Sequence, residues 1–343
     1  MLTNDKLYLL FAIFIIILFI IYIANMKYNN EQSRGSPGGS LEVRALTYNL
    51  SWASQKKAIA GSEADFVERC ITINRDCYKK ALKKIKNLHN MYKFHVIGIQ
   101  EVEDPDLVTS ICESTGLDGW YRGATWHCKE KIYSGCAIMW NTRTLGTMVT
   151  GKTINLARID KDNKCDARTC CIVTTSKDIN LIVAHFPWLE TRDDVLSVAD
   201  IINAHITSNG PIIILADTND SKTFITKETP LIIKNKSLSH GLSKSEANKD
   251  IKSCCWHKKD HKYKHFIDTG DYILSENVAL IERAISNYPS NDDDETELYS
   301  DHMPIAGTII LPSRKSRTRA KSEPFNRKSK TRKSKTRGRS APF

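Results

Sequence analysis

The chain has 343 residues, of which 41% are hydrophobic and 26% charged, and its formal net charge is +11. This is ordinary globular usage, and it excludes a wholly disordered or collagen-like chain. The charge is uneven: residues 313–343 hold 13 Lys/Arg and one acid, Glu323, which leaves residues 1–312 at a net −1, so a basic globular body does not follow from the total.

In chain order, Leu7 to Ala24 reads LYLLFAIFIIILFIIYIA, 18 residues without a charge. As a helix it would rise roughly 27 Å, close to the ~30 Å hydrocarbon core of a bilayer. Tyr8 and Tyr22 sit near its two ends, where amphipathic aromatics prefer to lie. The run is longer than the apolar region of a signal peptide, and Ala24-Asn25-Met26 is a poor cleavage site. Residues 1–26 are therefore expected to be an uncleaved single-pass anchor. Lys6 lies before it and Lys27 and Arg34 after it, so the positive-inside rule barely sets its orientation. Residues 27–40, KYNNEQSRGSPGGS, read as a flexible linker. The body then spans 41–312. The tail, 313–343, repeats RKSRT and RKSKT and has too few apolar residues to offset ordering entropy, so disorder is expected. Such a tail neutralises phosphates, on nucleic acid or on anionic lipid headgroups.

Within the body, short apolar runs alternate with polar connections. Strands are expected at Val43–Tyr48, Val96–Ile99, Ala137–Trp140, Cys171–Thr174, Leu181–Ala184, Ile212–Ala216, Tyr272–Leu274 and Ile305–Leu311. Glu63 to Met91 and Val195 to Ile206 carry helical periodicity. Ser253–His257 and Lys264–Phe266 read as a hairpin. Many strands with few helices point to an α+β fold, a two-sheet β-sandwich flanked by helices.

The ten cysteines lack a paired framework, and two pairs are adjacent doublets. Asn49-Leu-Ser and Asn219-Asp-Ser are glycosylation acceptors that fall among the catalytic candidates, so exposure to a secretory lumen would risk modifying them. The body is therefore expected on the cytosolic side of its membrane.

Polar residues cluster just beyond the strand ends: Asn49, Gln100 and Glu101, His185, Asp217 and Asn219, Asp271, and Asp301 with His302. The segments TYNL (47–50), IQEV (99–102), GCAIMW (135–140), VAHF (183–186), LADTND (215–220), GDYILS (270–275) and SDHMP (300–304) follow in order. In this set and order the body resembles the endonuclease/exonuclease/phosphatase superfamily, which contains pancreatic deoxyribonuclease and the apurinic-site endonucleases. The resemblance spans about residues 43–312. It implies the deoxyribonuclease I-like fold and hydrolysis of phosphoric esters with a divalent metal.

The chemistry agrees with the residue types. A phosphodiester is anionic and repels hydroxide, so a cation must offset its charge. Glu101 is the expected ligand for a hard cation such as Mg²⁺, with Mn²⁺ a substitute, and Asn49 offers a neutral oxygen beside it. The resemblance implies that Asp301 adds a ligand, directly or through water. Asp217 is the expected base toward the attacking water. Asn219, two residues on in extended chain, would face the same centre. His302 would stabilise the transition state, Asp271 would orient it, and His185 would donate to a phosphate oxygen from the other side.

Some features depart from the family or stand apart from it. Ala216 replaces a common Gly, Ser51 stands where some members carry an acid, and the inositol polyphosphate phosphatase signatures are absent. Cys254, Cys255, His257, His261 and His265 crowd together without paired zinc spacing. The basic hairpin they belong to, with Lys258, Lys259, Lys262 and Lys264, is read instead as lying beside the substrate. Trp188 stacks on a base or sugar, or packs in the core. The reading is a membrane-anchored, metal-dependent nuclease. The rivals are a lipid phosphodiesterase or phosphoinositide phosphatase, and a non-catalytic membrane tether for nucleic acid.

Overall fold

A computed structural model describes residues 40–51, 77–102, 104–127, 132–156, 168–250, 252–254, 269–283, 300 and 302–312. The expected anchor, nearly all of the linker and the basic tail lie outside these residues. So do Asp301, the first part of the expected Glu63–Met91 helix, and most of the expected basic hairpin with its Cys/His cluster. Among the described residues no helix is long and apolar enough to cross a membrane.

Two mixed sheets stack face to face. In the first, β1 (Leu41–Asn49) and β2 (Val96–Gln100) run parallel at the centre. On one side of them lie β13 (Ile305–Leu311) and β12 (Val278–Arg283); on the other lie β4 (Ile132–Trp140) and β3 (Gly119–His127). The second sheet is ordered β11 (Asp271–Ser275), β8 (Ile212–Asp217), β7 (Asn180–His185), β6 (Thr169–Thr175) and β5 (Met148–Asn155), with β7 and β8 parallel. A short ribbon, β9 (Leu231–Ile233) with β10 (Lys236–Leu238), sits apart.

Each parallel pair is joined by a crossover carrying a helix, as parallel strands require. The helix α1 (Cys77–Tyr92) links β1 to β2 and buries Ala81, Ile85 and Leu88, spaced at one helical face. The helix α2 (Pro105–Thr115) starts from Asp104, whose side chain accepts from the Asp106 N–H, and ends at the left-handed Gly116. A one-turn α3 (Thr142–Leu145) follows β4. The helix α4 (Arg192–His205) links β7 to β8 behind a capping box, Thr191 with Asp194, and buries Val195, Val198, Ala199 and Ile202. The short α5 (Lys244–Asp250) precedes segment 252–254, where Cys254 makes an isolated bridge to His302.

The layering explains the burial. β6, β7 and β8 are buried along their whole length because they lie between the other sheet and α4, the signature of strands covered on both faces. Where β2 faces the second sheet it carries Gly98. A Cβ there would lie 2.6 Å from Leu215 Cβ. Gly98→Ala is therefore expected to destabilise the fold by roughly 1–3 kcal/mol through overpacking. A shift in denaturant midpoint at unchanged m-value is the check. The contact also helps to place the site, because Gly98 lies three residues before Glu101 and Leu215 two before Asp217.

Cys112, Cys136, Cys170 and Cys171 are free thiols, the last three buried in the core. Cys254 is disulfide-bonded.

Candidate active site

The two parallel pairs point the same way, so their C-terminal ends open on one crevice. Asn49 ends β1 directly beside Gln100 of β2. His185 ends β7 directly beside Asp217 of β8, and Asp217 in turn sits across from Asp271, the first residue of β11. His302 precedes β13 and is drawn inward: its N–H donates to Ser300 Oγ, and that hydroxyl donates to the Asn49 carbonyl. Seven of the eight expected site residues therefore meet; Asp301 lies outside the described residues.

Three non-glycine residues leave their strands with positive φ: Ser51 (53°), Glu101 (59°) and Asn219 (48°). Left-handed backbone costs roughly 1–2 kcal/mol for such residues. All three are at this crevice, where the strand ends must turn sharply to present side chains.

The contacts form one network. Asn49 Nδ2 donates to Glu101 Oε1 at 3.0 Å and to Asp217 Oδ2 at 2.9 Å, and lies 3.5 Å from His302 Nε2. His185 bridges the same carboxylates, with Nδ1 3.8 Å from Glu101 Oε1 and Nε2 3.6 Å from Asp217 Oδ2. His302 Nε2 is 3.8 Å from Asp217 Oδ2, while its Nδ1 is 2.9 Å from Asp271 Oδ2. Asp217 and Asp271 are buried, and Glu101 is the partly open member of the set. Ligand atoms of Glu101, His185 and Asp217 lie within 4.8 Å of one another, and so do those of Asp217, Asp271 and His302.

Two expectations need revising in geometry. Asn49 turns its amide nitrogen, rather than its oxygen, toward the carboxylates, because its Oδ1 accepts from the Ser51 N–H at 2.9 Å. The chain is also not extended from Asp217 to Asn219. It turns there, with Asp217 Oδ1 accepting from the Asn219 N–H at 3.0 Å and Asn219 Nδ2 donating to the Phe186 carbonyl at 2.7 Å. Asn219 reaches the crevice through this side-chain-capped turn instead of through strand alternation.

The electrostatics separate the two buried acids. Burial by itself raises Asp217, but the adjacent His302 and His185 and the hydrogen bonds from Asn49 and Asn219 outweigh it, so its pKa is lowered. Asp217 is thus a carboxylate at neutral pH. Burial pushes Asp271 up to about 6 from an ordinary 3.8, against the pull of His302. Its Oδ1 is buried with no hydrogen-bond partner among the described residues. For stability, this raised value favours folding below about 3.8, and that contribution is lost as the pH rises through about 6. For the His302–Asp271 pair the sense is opposite, because the ionised acid exists only above about 6.

One supporting residue carries no motif in the sequence. Ser253 Oγ donates to Asp271 Oδ2 at 2.7 Å and accepts from the Asp271 N–H at 3.1 Å. The Met303 N–H donates to the Ser253 carbonyl, and Cys254 bridges to His302, so segment 252–254 backs the whole pair. Ser253 lies 18 residues from Asp271 in sequence, and nothing in its neighbourhood marks it as a partner of that acid.

Comparison with known proteins supplies the fold by name. No family model and no curated protein matches the chain. Solved structures do match. An endonuclease/exonuclease/phosphatase protein from Beutenbergia cavernae superposes with a TM-score of 0.50 at 13% identity, over 79% of this chain and 72% of that one. ANGEL2, described as a 2′,3′-cyclic phosphatase and seen in complex with adenosine-2′,3′-vanadate, gives 0.51 at 16% identity, over 80% of this chain and 97% of that one. The protein has the endonuclease/exonuclease/phosphatase fold, as its motifs imply. At these identities the likeness is one of fold alone.

Proposed function

We propose that the chain is a divalent-metal-dependent phosphodiester hydrolase, a nuclease anchored to a membrane by residues 7–24 and carrying a phosphate-binding tail. The observation that supports it most is convergence. Glu101, Asp217, His185, His302 and Asp271 come from separate strands, and their carboxylates and imidazoles meet at one crevice. ANGEL2, a protein of the same fold, was seen with an adenosine-derived vanadate, and this favours nucleotide chemistry over the lipid rivals.

The donor set fits a hard cation. Glu101 is partly open, and its Oε1 shares the Asn49 amide with Asp217, so two carboxylates already stand around one point of positive charge. Glu101, Asn49 through a turned amide, and Asp301 would hold Mg²⁺, with Mn²⁺ as a substitute. Such an ion offsets the diester's charge and the charge that develops during hydrolysis. Asp217 takes the proton of the attacking water, and Asn219, whose Nδ2 is spent on the Phe186 carbonyl, accepts from that water with its side-chain oxygen. His302, oriented by Asp271, and His185 donate to phosphoryl oxygens from two sides.

The acid limb of the pH–rate profile is then expected near 6, where Asp271 ionises and pairs with His302. Ser253→Ala removes a donor from the ionised acid. It is expected to move that limb upward and to lower kcat/KM by about 10-fold. A purely structural serine would change the melting temperature and leave the limb in place.

The domain plan of anchor (1–26), linker (27–40), body (41–312) and tail (313–343) is part of the proposal. The cytosolic side rests on the two sequons and on the free thiols of the core; the disulfide at Cys254 opposes it. A substrate panel tests the activity. With Mg²⁺ the full chain is expected to cleave DNA or RNA. Turnover of sphingomyelin or a phosphoinositide, with none on nucleic acid, would select the lipid reading. Binding of nucleic acid without cleavage of anything would select the tether.

A further inference from the structure

We propose that Trp188 forms a stacking subsite for a nucleobase next to the scissile phosphate, which selects nucleic acid over other phosphodiesters. The proposal rests on the hydrolase reading above and adds the part of the substrate that is recognised.

Trp188 is 55% exposed, although it sits between two anchors, Phe186 and Leu189, that are almost fully buried. Here the backbone around the tryptophan is fixed rather than loose. The Phe186 N–H donates to the Asp217 carbonyl at 2.8 Å, and Asn219 Nδ2 donates to the Phe186 carbonyl at 2.7 Å. The Leu189 N–H donates to the Asn219 carbonyl at 3.4 Å, and Lys222 Nζ reaches the Glu190 carbonyl at 3.3 Å. Pro187 fixes its own φ and restricts the backbone of Phe186 before it. Segment 186–190 is thus clamped along segment 217–222, which carries the proposed base and water-holding residue.

The result is an exposed indole on fixed backbone, three residues from His185 and bonded through that backbone to Asn219. A planar group attached to the bound phosphate can lie on it without the cost of ordering a mobile loop. Stacking is tolerant of base identity, since every base has a π-face. A lone indole on a clamped turn also differs from the contiguous apolar surface that insertion into lipid requires.

Equilibrium binding by the full-length chain tests this, in the Asp217→Asn background so that turnover does not consume the probe. The probes are a short single-stranded oligonucleotide and the same backbone without bases. Tail and metal contacts act on both, so the ratio of their affinities isolates the bases. Unsubstituted Trp188 is expected to favour the base-bearing probe by roughly 5- to 100-fold. Trp188→Ala should reduce that ratio to near 1, and Trp188→Phe should keep most of it. Trp120→Ala, an equally exposed tryptophan at the opposite end of its sheet, should leave it unchanged. A ratio that Trp188→Ala does not alter, or no preference for bases at all, overturns the proposal. So does a Trp188→Ala defect seen only on phosphatidylserine vesicles. Failure of the hydrolase reading shows separately, as absent cleavage by the unsubstituted chain.

Discussion

Asp217→Asn is expected to lower turnover of a phosphodiester by roughly 10²–10⁴-fold with little change in KM. The asparagine keeps the size of the side chain, and its one oxygen can still accept from either Asn49 or the Asn219 N–H, so the fold should persist at some loss of stability. What it loses is the ability to accept a proton and the negative charge that faces His185 and His302. The low pKa of Asp217 makes it a weak base, and its value lies in being ionised and correctly placed throughout the working pH range. In the native chain the lowered value also stabilises the fold above its unfolded pKa, near 3.8, and that stability is lost as the pH falls through the folded value. The variant should therefore be less acid-sensitive than the native chain. Steady-state kinetics give the first result, and thermal unfolding monitored by circular dichroism across the acid range gives the second.

Chelation of divalent cations by EDTA is expected to reduce the rate by about three orders of magnitude or more, restored by Mg²⁺ or Mn²⁺. Glu101→Gln should raise the Mg²⁺ concentration needed for half-maximal rate by at least ~10-fold, since loss of even an outer-shell partner costs a metal site that much. Glu101 is singled out because it is the open carboxylate of the cluster and stands on a turn with positive φ. A readout independent of activity is available. Mg²⁺ should raise the melting temperature of the native chain by binding only the folded state, and the rise should shrink in Glu101→Gln. Equal thermal shifts in the two proteins would place the ion elsewhere.

Much of this architecture was visible in the residues. The central strands announce themselves as apolar runs such as Val96–Ile99 and Ile212–Ala216 because both their faces are covered. Their ends were equally plain, since polar residues follow them abruptly. The edge strands were not. β5 is exposed or half-exposed along its length, so no alternation marks it. β3 is interrupted by Gly123, which is required because a Cβ there would meet Thr153 Oγ1. The helix Pro105–Thr115 was missed despite a legible start at Asp104-Pro105 and a legible stop at Gly116. At the site, residue types sufficed to choose the acids and histidines. They did not reveal that Asn49 would turn its nitrogen inward, that Asn219 would sit on a left-handed turn, or that Ser253 would brace Asp271. Those features depend on hydrogen bonds between distant segments, which leave no periodic trace. Trp188 shows the same limit, because only its exposure in the folded chain separates a stacking surface from a core residue.

The central claim, that this crevice activates water against a phosphodiester, is tested most directly by running cleavage of a short oligonucleotide in oxygen-18-labelled water. One labelled oxygen in the phosphate of the product, formed only with Mg²⁺ present, is the predicted result. Product phosphate without the label, or an oligonucleotide left intact by the native chain, would contradict it.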